Sequence, residues 1–340
     1  MGASTTPFTH HIVIIGASFG GLSLAHRLLQ KVIPALDSSV SYKVSMISPN
    51  NQFYWNVAAP RQIVNPDSLP QERIFLHLVP GFEKYGAGFE HVKAYATSID
   101  SSSKTVSYRD ALGGPAADTV HYDSLLGEET TKKALAAIHA QMPAASSILI
   151  AGGGPTGVET AGELGWRYGK SKEITLVSGG SKLLARLRDS RLGADAEAML
   201  KKLGVQIVHG MKVHAEKRHS GGTTIRMSNG SESVVDVFID ATGEHPNHNF
   251  IPKEWLNEYG FVKTHVSTLR ADIPGIVNTY VIGSIGSYSD GSVASVLFGY
   301  KAACESIRID LAGECKNIVL LNLMATLLRD MFCPLRHTPS

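Results

Sequence analysis

Cysteine is scarce in this chain. Three occur in 340 residues, Cys304, Cys315 and Cys333, all near the C-terminus and without CxxC or zinc-ligand spacing. None lies near a glycine-rich turn, so the sequence argues against a dithiol redox centre and a disulfide framework, and a reducing, cytoplasmic setting is expected. Charge of one sign is also missing. Thirty-two basic side chains face 30 acidic ones for a net charge of +2, with no Lys/Arg stripe, so a nucleic-acid partner is not expected. No apolar run reaches the about 18 residues of a membrane span. The longest, Ile318 to Leu328, is broken by Asn322 and Thr326 and reads as a packing or interface helix, which leaves room for a homodimer or peripheral membrane contact. The N-terminus has no secretory core, although Met1-Gly2-Ala3-Ser4-Thr5-Thr6 fits the loose myristoylation pattern, a short one that also arises by chance. No Ser–His–Asp or paired-carboxylate constellation stands out. His245-Pro-Asn-His248 reads as a turn, so no metal site is expected, and His209, His214 and His219 read as surface residues.

What is present is one device twice. Residues 11–28 read HIVIIGASFGGLSLAHRL and residues 147–164 read SILIAGGGPTGVETAGEL. Each is an apolar run, a glycine turn and a helix whose apolar residues recur at three-residue spacing: Leu22, Ala25 and Leu28, then Val158, Ala161 and Leu164. In such a turn one glycine permits the bend, the next lets backbone approach a pyrophosphate, and the third permits close helix–strand packing. The phosphate then lies on free N–H groups at the helix start. Gly152, Gly154 and Gly157 satisfy G-x-G-x-x-G in full; the first copy has Gly16 and Gly21 with Ser18 between them. The following strands, 42–48 and 173–178, end at the ribose-reading position in Ser48 and Ser178 rather than an acid. Without that carboxylate a 2′-phosphate is not repelled, and Lys182 and Arg186 follow nearby, so NADPH is slightly favoured over NADH.

The arrangement resembles the two-dinucleotide-binding-domain flavoproteins, and within them the apoptosis-inducing-factor-like, ferroptosis-suppressor-like branch with its fungal members. The resemblance spans roughly residues 10–310. It is carried by IIGASFGGL at 14–22, FYWNVAAPR at 53–61, GGGPTGVETAGEL at 152–164, VFIDATGEHPN at 237–247 and YVIGS at 280–284. It implies an α/β fold with two Rossmann-like domains, the second inserted into the first. The FAD-type domain would take residues 8–127 and 255–310, the NAD(P)H-type domain 128–254, and a short helical tail 311–340. It further implies that Gly16, Ser18, Phe19, Gly20 and Gly21 face the FAD pyrophosphate, with Arg61 near the flavin. Gly152, Gly154, Pro155, Thr156 and Gly157 would cradle the NAD(P)H pyrophosphate, and Glu159 would stand beside the nicotinamide as the candidate catalytic residue. Thr242 and Gly243 match the crossover turn, and Gly283 the turn that holds the flavin ribityl chain. Tyr54 and Trp55 fall near the flavin edge, where they would stack on a ring substrate or fill core space. The implied reaction is hydride transfer from NAD(P)H to flavin, then electron transfer to a quinone or small organic acceptor.

The sequence departs from that pattern in three places. Ser284 replaces the usual acid after Gly283, which costs a charge-assisted hydrogen bond. His121 to Gly127 runs directly into a helical stretch beginning at Glu128, so the first crossover turn is missing. The family's C-terminal portion is not recognisable after about residue 315. A second reading therefore stays open: a flavin fold with weakened or lost FAD binding, catalysing a redox-neutral isomerisation or cyclisation in a biosynthetic pathway, or a vestigial homologue without catalysis.

Overall fold

The computed structural model describes residues 10–111, 128–187, 189, 191–218, 221–243, 246–289 and 291–313. The stretch 121–127 and the expected helix at 318–328 lie outside these residues, as do His219 and His245.

Strand β1 (His10–Ile15) leads through the first glycine turn into helix α1 (Phe19–Arg27), then β2 (Tyr42–Ser48). A short excursion follows: β3 (Gln52–Tyr54), α2 (Ala59–Val64), β4 (Phe75–His77) and α3 (Val79–Phe82). β5 (Phe89–Asp100) and β6 (Thr105–Asp110) form a hairpin whose turn holds Ser101–Ser103. The second unit opens with α4 (Glu128–Gln141) and repeats the device as β7 (Ser147–Ala151), α5 (Pro155–Tyr168) and β8 (Glu173–Ser178). It continues through α6 (Arg191–Lys202), β9 (Val205–His209), β10 (Val213–Lys217), β11 (Thr223–Met227), β12 (Glu232–Val235) and β13 (Val237–Asp240). The described chain ends with α7 (Val293–Leu311), capped by Ser292 accepting from the Ser295 N–H.

The two main sheets are built differently. One has the order β13-β7-β8-β9, all parallel, and its central strands are apolar on both faces, as a sheet covered on both sides demands. The other has the order β1-β2-β5-β6, with β6 antiparallel. There β1 lies at an edge among the described residues, and Val13 at its middle is 39% exposed. β10, β11 and β12 form a separate antiparallel sheet, and β3 pairs with β4.

Helix α1 buries Ala25 and, just past its end, Leu28 in the same cluster as Ala303, Cys304 and Ile307 of α7, so the last described helix returns to the first unit. Tyr54, Ala59, Ile63, Val64, Ile74 and Phe75 of the excursion pack in one buried cluster with Leu135, Ile148 and Leu164, α2 lying against α4 and α5. The apolar residues Tyr280 to Ile282 before Gly283 form no regular strand: Tyr280 makes one isolated bridge, to Arg270. Their backbone is used locally instead, Val281 N–H donating to Leu269 O.

Candidate functional site

Both glycine turns stand at the carboxyl end of a parallel strand, pointing at a helix N-terminus, which is where open α/β sheets bind ligands. Their internal geometry is the same. A Cβ on Gly21 would lie 1.9 Å from Gly16 O, and a Cβ on Gly157 would lie 1.9 Å from Gly152 O. Those two positions admit no side chain, and that contact lets each helix sit close against its strand. Gly16 and Gly152 have φ of +98° and +121°, a region that only glycine enters freely. The mouth of the second turn is open: a Cβ on Gly154 would touch nothing within 4 Å, so the space over the start of α5 is free for phosphate. Pro155 sits in the first turn of α5, where its missing N–H costs nothing. Thr156 follows it, and its carbonyl accepts from the Thr160 hydroxyl at 2.7 Å.

The serines at the ribose positions are bonded within their own loops. Ser48 and Ser178 are both buried, and each hydroxyl accepts from the backbone N–H two residues on: Asn50 N–H at 3.3 Å and Gly180 N–H at 3.3 Å. They cap their own loops. The loop after β8 is also tied to the glycine turn, since Leu184 N–H donates to Gly153 O at 2.8 Å. Leu184 has φ +52°, a strained value for a branched residue. Gly153 was passed over in the sequence, yet a Cβ there would lie 2.4 Å from Ser178 Oγ. The unbroken triplet at 152–154 was the available signal. Lys182 and Arg186 ride on this loop and are exposed.

Glu159 lies on α5 beside the turn. Its carboxyl keeps solvent contact, while the walls around it, and secondly the Glu163 carboxylate one helical turn on, raise its pKa above the ordinary range. Arg61 does not stand free beside the first turn. Its guanidinium makes a two-pronged pair with Glu163, Nε to Oε2 at 2.7 Å and Nη2 to Oε1 at 2.6 Å, joining α2 to α5. Tyr54 is buried and stacked on Phe75 with centroids 4.8 Å apart, so of the two roles open to it the structure shows core packing. Trp55 is 41% exposed and remains available to a ligand ring. Thr242 donates its hydroxyl and its N–H to Asp240 Oδ1 at 2.6 and 2.9 Å, which shapes the crossover turn. Gly243 at φ +135° completes that turn, and Ala241 O packs 2.0 Å from where a Gly152 Cβ would be.

Around the first turn, Phe19 meets Phe53 edge-on at 4.9 Å, Gly16 N–H donates to Ile47 O at 2.8 Å, and Ile282 Cγ2 lies 2.9 Å from the Cβ direction of Gly20. So β2's end, the 50–53 loop and the Gly283 turn encircle the cradle, with Ser18 exposed at the helix N-cap. Gly283 has φ +93°, and its N–H donates to the Tyr288 hydroxyl at 3.0 Å; Ser284 follows it without a carboxylate to offer. Among the described residues no cluster of three or more His, Cys, Asp or Glu could hold a metal, and no helix is long and apolar enough to cross a membrane. Cys304 is 3% exposed, and burial pushes its thiol up to about 12, which leaves it without nucleophilic character near neutrality.

Residues 10–286 match the pyridine nucleotide-disulphide oxidoreductase family. The chain belongs to that family. It is 34% identical over 346 residues to oxidoreductase phnG of Penicillium herquei, covering 92% of this chain and 82% of that protein. It is 23% identical to apoptosis-inducing factor homolog B of Dictyostelium discoideum, over 90% of this chain and 82% of the other, in keeping with the apoptosis-inducing-factor-like resemblance. The fold is shared with the reduced CoADR-RHD of Bacillus anthracis, at a TM-score of 0.69 and 17% identity, over 91% of this chain. This chain spans 58% of the length of that protein. The α/β, Rossmann-like architecture expected from the sequence is therefore the architecture of the family.

The two cofactors that the family implies fit unequally. For a nicotinamide dinucleotide the residues fit: the Gly152–Gly157 cradle is unobstructed above Gly154 and carries a helix start. For FAD the phosphate turn fits, but its surroundings are already engaged by the chain itself.

Proposed function

We propose that this protein is an NAD(P)H-dependent oxidoreductase whose second unit holds the nicotinamide coenzyme and whose first unit takes a flavin dinucleotide. The observation that carries the reading is the second glycine turn, sterically complete at Gly152 and Gly157 and open at Gly154. Gly152, Gly153, Gly154 and Thr156 would hold the coenzyme pyrophosphate at the start of α5. Glu159 stands one turn further along the helix, and its raised pKa suits a group that holds a proton near bound nicotinamide. With no acid at Ser178, and with Lys182 and Arg186 on the adjoining loop, NADPH is the preferred form over NADH. When bound, the flavin supplies the redox centre, accepting hydride and passing electrons to a quinone or small organic acceptor. Trp55 offers an exposed aromatic face for a ring-shaped acceptor.

A second reading has its own support in Ser284. Where the ribityl chain would be gripped by an acid, this chain offers a neutral hydroxyl, which weakens flavin retention and favours a redox-neutral step or a vestigial role. The deciding experiment measures NADPH and NADH binding by quenching of protein fluorescence, then follows coenzyme consumption with a quinone and added FAD. Binding with net consumption supports the reductase. Binding with substrate turnover but no consumption supports the redox-neutral reading. No binding of either coenzyme sinks the nicotinamide assignment.

A further inference from the structure

The loop that follows β2 binds a carboxylate belonging to the chain itself. Asn51 N–H and Gln52 N–H donate to the same Glu128 oxygen, Oε2, at 2.9 and 2.8 Å. Asn50 Oδ1 in turn accepts from Glu128 N–H at 2.8 Å, so the start of α4 is tied to this loop from both directions. The partners are 76 to 78 residues apart in sequence, so neither local chain geometry nor helix capping alone brings them together. Two adjacent backbone N–H groups converging on one anionic oxygen form a small anion-binding concavity. Its location gives it meaning: Phe53, the next residue, lies against Phe19 of the first glycine turn, and Ser48, whose hydroxyl accepts from the Asn50 N–H, ends the strand beside that turn. On the other side of the same turn, past Ile282, Gly283 N–H donates to Tyr288. The Tyr288 ring is packed between Gly286 and Gly299 of α7, at 2.7 and 3.4 Å from the positions a Cβ would take there. The first cradle is thus flanked by donors that the chain satisfies with its own acid and its own phenol.

We propose that Glu128 and Tyr288 act as internal ligands of the first glycine cradle, which a flavin nucleotide must displace in order to bind. The proposal rests on the flavin reading above. A carboxylate on two N–H groups imitates an anionic or ribose oxygen at the β2 end, and a phenol on the Gly283 amide imitates a ribityl hydroxyl. In the closed form those donors are unavailable. The apparent dissociation constant is then the intrinsic one divided by the fraction of open protein, so a site closed about nine-tenths of the time binds about tenfold more weakly. Glu128 contributes the larger share, because hydrogen bonds to a charged acceptor are roughly twice as strong as neutral ones. A purely structural role for both contacts predicts the opposite, since removing them would loosen the site and weaken any ligand.

The test is a titration of FAD, followed by quenching of its own fluorescence, into the wild-type protein, Glu128→Ala, Tyr288→Phe and the double variant. NADPH binding and melting temperature are measured on the same preparations to establish that each is folded. Glu128→Gln, which keeps the helix start and removes the charge, serves if the alanine variant does not fold. The expected result is FAD binding about tenfold tighter in Glu128→Ala, a smaller gain of about twofold in Tyr288→Phe, and the largest gain in the double variant. Unchanged or weaker FAD binding in folded variants overturns the proposal. So does wild-type protein that purifies with a full, non-dialysable complement of flavin, and so does failure of all four to bind FAD while NADPH still binds. Failure of the wild type to bind NADPH counts against the nicotinamide reading instead, and the FAD titration is still decided by its own ordering.

Discussion

The two glycine turns of this molecule are copies of one device in different surroundings. At the second, the carbonyl of Ala241 from the crossover turn presses to 2.0 Å from the Cβ direction of Gly152, so the turn is backed by β13 and closed behind. At the first, the same direction from Gly16 meets no described atom within 4 Å, and β1 has a partner on one side only among the described residues. The inner contacts that shape the turns are identical at 1.9 Å in both. The comparison separates two requirements. A glycine turn needs its own internal packing in order to exist, and it needs a framed environment in order to hold a ligand. Both turns have the packing; the second is backed by β13, while the donors beside the first are taken up by Glu128 and Tyr288.

The most damaging test of this contrast is to fill the shared inner contact. Gly157→Ala and Gly21→Ala each force a Cβ against a backbone oxygen, and each should lower stability by about 1–3 kcal/mol or more by denaturant unfolding. Gly157→Ala should abolish coenzyme binding, whereas Gly21→Ala should leave it within a few-fold of wild type. If both lose coenzyme equally, the turns are not independent. Next in size, Gly154→Ala should fold normally, because its Cβ would touch nothing, yet weaken NADPH by at least about tenfold by occupying the space over the helix start. Unchanged NADPH affinity would place the phosphate elsewhere. Ser284→Asp should raise FAD affinity about tenfold through one charge-assisted bond, the scale of about 1.4 kcal/mol. No change there would mean that the ribityl position is lost altogether.

The smaller effects concern α5. Glu159 has a raised carboxyl pKa, so the folded state holds its proton more tightly than the unfolded chain. The contribution of this group is therefore favourable in acid and declines as pH rises from the unfolded carboxylate value through the raised folded one. Glu159→Gln should remove that decline, seen as a flatter stability profile between mildly acidic and neutral pH. An unchanged profile would show that its surroundings do not perturb the group. Arg61→Gln should cost about 0–1 kcal/mol, since the arginine side chain is 55% exposed and the pair is screened. A larger loss would mean that the pair does more than tie α2 to α5.

Much of the fold could be read in the sequence wherever the information is local. The strands expected at 42–48 and 173–178 form with those bounds, and the stretch 128–138 expected to be helical lies within α4. Their apolar runs, and the glycines that end them, decide the matter within a few residues. The parts that escaped reading depend on distant pairing. Arg61 meets Glu163 across 102 positions, and Gln52 meets Glu128 across 76, and no periodicity encodes either contact. The loop bonds of Ser48 and Ser178 are local, since a serine hydroxyl readily accepts from the N–H two residues on, yet the sequence did not announce them. Tyr288 had no local signature at all; its partner amide is defined by the positive φ of Gly283.

One packing feature bears on how the molecule can be divided. Tyr54, Ala59, Ile63, Val64, Ile74 and Phe75 share a buried cluster with Leu135, Ile148 and Leu164, so the stretch between β2 and α3 shares a core with the second unit. A fragment cut at residues 128 and 254 would expose the apolar wall those six side chains cover, and an excisable coenzyme-binding piece would have to carry them along.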